Sequence, residues 1–101
     1  MYEERIDGLN DFSKIALCLH RWRIATTVEV GDTHEDGEPL WGRWTVEGLG
    51  EIRWERETPY LVEWRRDPRD EVCDETIPLR KFGDFCAGLV FSIARRDTVK
   101  T

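Results

Sequence analysis

Between Arg43 and Arg65 apolar and charged residues alternate almost one for one. Trp44, Val46, Ile52, Trp54, Tyr60, Val62 and Trp64 share one parity across three short segments. Arg43, Thr45, Glu47, Glu51, Arg53, Glu55, Leu61, Glu63 and Arg65 share the other. Successive side chains of a strand point to opposite faces, so a period of two specifies an antiparallel sheet that is apolar on one face and wet on the other. The pattern is unforgiving, because a slip of one residue in any strand would set a tryptophan among the charges.

Residues opposite each other in a sheet share a face, which allows a register to be predicted. A three-residue loop of Gly48, Leu49 and Gly50 places Val46 opposite Ile52, Trp44 opposite Trp54 and Arg43 opposite Glu55; glycine suits the φ > 0 position of such a loop. It also sets Glu47 against Glu51, a like-charged pair that counts against it. A loop of Glu57, Thr58 and Pro59 places Trp54 opposite Val62, Ile52 opposite Trp64, Arg53 opposite Glu63 and Glu51 opposite Arg65.

The flanks change period. Phe12, Ile15, Ala16, Leu19 and Trp22 recur at helical spacing, with Lys14 and Arg21 on the other side. They predict a helix capped by Asn10 or Asp11 and ending near Arg21. From Ile24 the alternation of Ile24, Thr26, Val28 and Val30 reads as a first strand. Two acidic loops follow by composition, GDTHEDGEP at 31–39 and DPRDEVCDE at 67–75, the second with room for a short strand around Val72. Thr76 is a candidate cap for a second helix, with Pro78 in its first turn. Leu79, Phe82, Cys86, Leu89, Val90 and Ile93 form its apolar stripe. Residues 1–8 are a polar lead-in and 97–101 a frayed tail. The chain is expected to be one α+β domain over 1–101. Its sheet is an antiparallel meander of three to four strands, with an N-terminal and a C-terminal helix packed on one face, in the order α-β-β-β-β-α.

Trp44, Trp54 and Trp64 could be an exposed stacking platform or the inside of this sheet. Platforms for nucleic acid come with a cationic groove. The chain carries 21 acidic residues against 15 basic ones and a formal net charge of −6, so the indoles are assigned to the core. Trp41 falls on the wet parity. It is either an interface anchor or tucked under the 31–39 loop.

Catalytic patterns are missing. His20 and His34 have no reason to meet, Ser13 and Ser92 lie in no nucleophile elbow, and no glycine-rich phosphate loop follows a strand. The three cysteines, Cys18, Cys73 and Cys86, form no disulfide framework, and Cys18 and Cys86 read as packing residues within helices. Asp32, His34 and Asp36 alternate as oxygen and nitrogen donors could, but an EF-hand loop begun at Asp32 would end on Arg43 instead of glutamate. No enzyme activity, metal or cofactor is expected. MYEERIDG lacks the apolar core of a secretion signal, and IALCL and CAGLVF are far shorter than the roughly 20 residues of a membrane span. A cytoplasmic protein in a reducing compartment, with no membrane partner, is expected.

The acids cluster instead. Asp32, Glu35, Asp36 and Glu38 lie in one loop, and Asp67, Asp70, Glu71, Asp74 and Glu75 in or beside the other. A field of this kind steers association with a basic protein. With Trp41 as anchor, these residues are the predicted contact set of a non-enzymatic inhibitor. It would bind a basic, nucleic-acid-handling partner as a nucleic-acid mimic and would not bind nucleic acid itself. Many phage-encoded inhibitors of host defence, including anti-CRISPR and anti-restriction proteins, share this small acidic profile, as do immunity proteins and antitoxins; the likeness is one of class. The alternative is a small ligand- or nucleic-acid-binding module that uses an aromatic sheet face. The expected sheet edges are the first strand and the last meander strand, blunted by Arg65 and Arg66, which leaves the first strand open to homodimer formation.

Overall fold

A computed structural model describes residues 11 to 33, 35 and 37 to 100. Helix α1 spans Asp11–Arg21, followed by strands β1 Thr27–Val30, β2 Trp41–Val46, β3 Gly50–Glu55, β4 Leu61–Arg65 and β5 Glu75–Pro78. A single 3-10 turn, Leu79–Lys81, leads into helix α2, Phe82–Lys100. The strands form one antiparallel sheet in the order β1-β2-β3-β4-β5, a pure meander. The α+β class, the meander and the terminal placement of both helices agree with the sequence reading.

The core is the expected one. Trp44, Val46, Ile52, Trp54, Val62 and Trp64 are buried, and Ile77 joins them from β5. Ile15 and Leu19 of α1, and Phe82, Cys86 and Leu89 of α2, close over them. Phe12 sits 5.0 Å from the Trp44 ring and 6.0 Å from Trp54, and Phe85 meets Trp64 edge-on at 5.3 Å. These centroid distances are those of favourable aromatic pairs. The buried Trp54 indole donates to the Pro59 carbonyl in the β3–β4 turn at 3.2 Å, so its N–H is satisfied.

The structure departs from the expected one at several points. The first strand begins at Thr27, not Ile24, because residues 22–24 close the helix. Arg23 takes φ +56°, its N–H bonds to the His20 carbonyl, and the Ile24 N–H bonds to Leu19. This is a Schellman closure, and the buried Ile24 supplies its apolar contact.

The β2–β3 register is shifted by two residues. Trp44 faces Ile52, Val46 faces Gly50, and Arg43 faces Arg53 rather than Glu55. The turn is Glu47-Gly48-Leu49, with Gly48 at φ +78° and the Leu49 N–H bonded to Val46. A shift of two keeps every face and removes the Glu47–Glu51 clash, so parity could not exclude it. The β3–β4 register is the predicted one throughout.

The fifth strand replaces the expected start of the second helix, which begins only at Phe82, and no strand forms at Val72. Ile77 pairs with Val62 and enters the core, while Pro78 sits on an edge strand that tolerates it. The sheet therefore ends at β5, not at Arg65 and Arg66. Tyr60, placed in the core by parity, lies in the β3–β4 turn and is 77% exposed. Helix α2 runs on through residues 97–100. The predicted lead-in 1–8, the Asn10 cap, His34, Asp36 and Thr101 lie outside the described residues.

Candidate protein-binding surface

The face away from the helices is a ladder of charge. One row crosses four strands as Glu29, Arg43, Arg53 and Glu63, and a second sets Thr45, Glu51 and Arg65 side by side. The facing guanidiniums of Arg43 and Arg53 are each neutralised outward. Arg43 donates to Glu29 at 2.6 Å, and Arg53 donates to Glu51. Arg65 donates to Glu63 at 2.7 Å. The Arg43 guanidinium also lies 5.5 Å from the centre of the Trp41 ring, within cation–π range.

Residues 66–74 fold back over one end of this face. Arg65 donates to the Asp70 carbonyl at 3.2 Å and to Glu71 at 3.4 Å, and Arg53 donates to the Pro68 carbonyl at 3.1 Å. The Asp74 carboxylate accepts the Arg66 N–H at 2.6 Å, and the Asp74 N–H bonds back to Trp64. Glu51 and Arg65 stand on the wet parity, yet beneath this loop they are only 2% and 7% exposed. Burial by itself would pull the Arg65 guanidinium down, but the hydrogen bond to Glu63 and the charges of Glu63 and Glu51 outweigh it and raise its pKa. Asp67 is clasped by Arg69 through two side-chain bonds of 3.1 Å and one from the backbone N–H at 3.0 Å, which hold its carboxyl below the usual aspartate range.

The other acidic loop leaves the opposite end of the sheet and extends the β1–β2 hairpin. Gly31 bonds to Trp41, Leu40 to Asp32, and Thr33 pairs with Pro39. The Trp41 indole lies so close over Gly31 that a Cβ there would sit 2.0 Å from its Nε1. Glu38 is bonded to Arg56 at 3.0 Å, and the Arg56 N–H bonds to Leu40, which ties this loop to the β3–β4 turn.

The ten predicted contact residues therefore divide. Asp32, Glu35, Asp70, Glu71 and Glu75 are exposed and form no ion pair among the described residues. Glu38 and Asp67 are held by arginines, and Asp74 caps a backbone N–H. Asp36 lies outside the described residues. Trp41 is half-buried against Gly31, tucked at the root of its loop as one of the two readings had it. The structure does not merge the acids into one spot but leaves two groups at opposite ends of the sheet.

Sequence reasoning missed the two most exposed large apolar residues among those described, one at each end. Tyr60 stands in the turn joined to the 31–40 loop, and Val72, 79% exposed, stands beside Glu71 at the tip of the other loop. Alternation hid both, because each continues a strand parity into a turn or loop. Among the described residues, no three His, Cys, Asp or Glu side chains group as a metal site, and no helix is long and apolar enough to cross a membrane. No family model, curated protein or solved structure matches the chain.

Proposed function

We propose that this protein is a non-enzymatic inhibitor that docks both ends of its sheet against a basic, nucleic-acid-handling protein. The supporting observation is the uneven pairing of its acids. Glu29, Glu51 and Glu63 on the sheet face are consumed by arginines, while Asp32 and Glu35 at one end, and Asp70, Glu71 and Glu75 at the other, are exposed and form no ion pair among the described residues. Strands of five to six residues separate the two groups by about 17–20 Å. Carboxylates placed this way meet a cationic groove at two points along its length, where phosphates of a nucleic acid would otherwise bind. Tyr60 and Val72 supply one exposed apolar contact to each group. Of the two, tyrosine is the residue type enriched at interface hot spots.

Trp44, Trp54 and Trp64 are buried under the helices, so a module stacking bases on that face would have to lift both helices from the sheet. Cytoplasmic residence belongs to this proposal, since the basic partner resides there.

The test is capture of partners by the tagged protein from nuclease-treated bacterial lysate at low and high salt, followed by quantitative binding to the protein captured. The expected partner is basic, is lost or weakened by salt, and is displaced by its own nucleic acid. Reversing Asp32, Glu35, Asp70, Glu71 and Glu75 to lysine should abolish binding and leave the circular dichroism unchanged. Unaltered binding by a folded variant would refute the electrostatic reading.

A further inference from the structure

Cys18 of α1 and Cys86 of α2 meet where the two helices pack, with their Sγ atoms 3.7 Å apart. The residues are 68 positions apart in sequence, so only the folded chain brings them together. Their environments differ. Cys86 is fully buried in the core, whereas Cys18 is half-buried at its margin, within reach of a small reagent. Cys73 lies elsewhere, beside the Thr76 hydroxyl at 3.4 Å.

We propose that Cys18 and Cys86 are a redox-sensitive pair, which a hydroperoxide converts into a disulfide that staples the N-terminal helix to the C-terminal helix. The Cys18 thiolate attacks the peroxide, the O–O bond breaks, an alcohol leaves, and Cys18 becomes a sulfenic acid. The Cys86 sulfur then attacks the Cys18 sulfur. The S–S bond forms, the S–O bond breaks, and the departing hydroxide takes the Cys86 proton to leave as water. Two thiols are oxidised by two electrons, and one hydroperoxide is reduced to alcohol and water. The order follows from access, and burial also pushes the Cys86 thiol up, which disfavours its thiolate as the first nucleophile. The sulfurs have to close to about 2 Å, a movement within reach of side-chain rotation in two adjoining helices. Cellular dithiols would reverse the change.

The bond would close a long loop in the unfolded chain, which is where a disulfide exerts most of its effect. The experiment treats the purified protein, Cys73→Ser and Cys18→Ser with tert-butyl hydroperoxide, then alkylates under denaturing conditions. Before alkylation the intact mass of the wild type and of Cys73→Ser should fall by about 2 Da; after it Cys73→Ser should carry no adduct and the wild type one, at Cys73, with a peptide linking Cys18 to Cys86. The melting temperature should rise by about 10 °C or more and return after reduction. Cys18→Ser should do neither. Cys73→Ser removes no core group, so a folding defect at Cys18 cannot mask the result. Full alkylation of all thiols after treatment, oxygen addition without a cross-link, or a cross-link that survives in Cys18→Ser would overturn the proposal.

Discussion

The two acidic loops have similar compositions and opposite construction. Residues 66–74 lie on the sheet, held by a nearly buried arginine that donates to backbone carbonyls of the loop itself. Residues 31–40 extend outward from a hairpin, held by backbone bonds, one arginine on Glu38 and an indole packed on a glycine. The first loop buries Arg65 and Glu51 of the sheet beneath it, whereas the second buries chiefly its own Glu38 against Arg56. Acidic composition alone therefore does not say whether a loop stabilises the fold. What decides it is whether a buried cation under the loop turns donors to the loop's own carbonyls. Arg65 does so with Nε and one Nη, while its other Nη donates to Glu63.

The largest expected effect lies at this buried cation. Arg65→Met should cost roughly 1–3 kcal/mol for each loop carbonyl it leaves bare, those of Asp70 and Glu71, and it also takes away the partner of Glu63 while Glu51 keeps Arg53. Urea unfolding measures it. Glu63→Gln, which removes only the charge partner of Arg65 and leaves its bonds to the loop, should cost less than Arg65→Met. If it did not, the charge pair would outweigh hydrogen bonding to the loop.

Gly31→Val is the matching change for the other loop. The new side chain would occupy the space of the Trp41 ring and should cost about 1–3 kcal/mol. Trp41 would move into solvent, so red-shifted tryptophan emission should accompany the loss. Removal of the Glu38–Arg56 pair by Glu38→Ala should cost less than about 1 kcal/mol, since Arg56 remains partly solvated. A larger cost would mean that the two loops are clamped alike.

The smallest effect is a titration. The Arg69 clasp depresses the Asp67 pKa, so its contribution is present above the ordinary aspartate range and fades as pH falls through the folded value. Carboxyl chemical shifts should place the Asp67 midpoint below the ordinary aspartate range, and Arg69→Ala should bring it back up.

Much of this fold could be read from the sequence because a period of two survives in any twisted sheet. Trp44, Trp54 and Trp64 went inside on parity and the chain's negative charge, and the three-residue loop placed Arg53 against Glu63 and Glu51 against Arg65, as they stand. Parity was blind to a shift of two, so the β2–β3 register rested on the turn, which Gly48 closes at φ +78° within Glu47-Gly48-Leu49. Strand β5 was hidden because it places a single residue, Ile77, deep in the core and runs straight into the helix stripe. At the candidate site, composition located the acids but not their pairing. The arginines that consume Glu29, Glu38, Glu51 and Glu63 lie on strands or turns distant in sequence or on the same strand two residues away. The contact between Cys18 and Cys86 joins the two ends of the chain, beyond any local pattern.

The most direct test of the account reverses the loops separately: Asp32 and Glu35 to lysine in one variant, and Asp70, Glu71 and Glu75 to lysine in another. Affinity for the captured basic partner is then followed against salt. The account predicts that each folded variant loses affinity, that the slope of log K against log salt shallows with each, and that the two losses combine when the variants are joined. Undiminished affinity in both folded variants, with an unchanged salt slope, would contradict it.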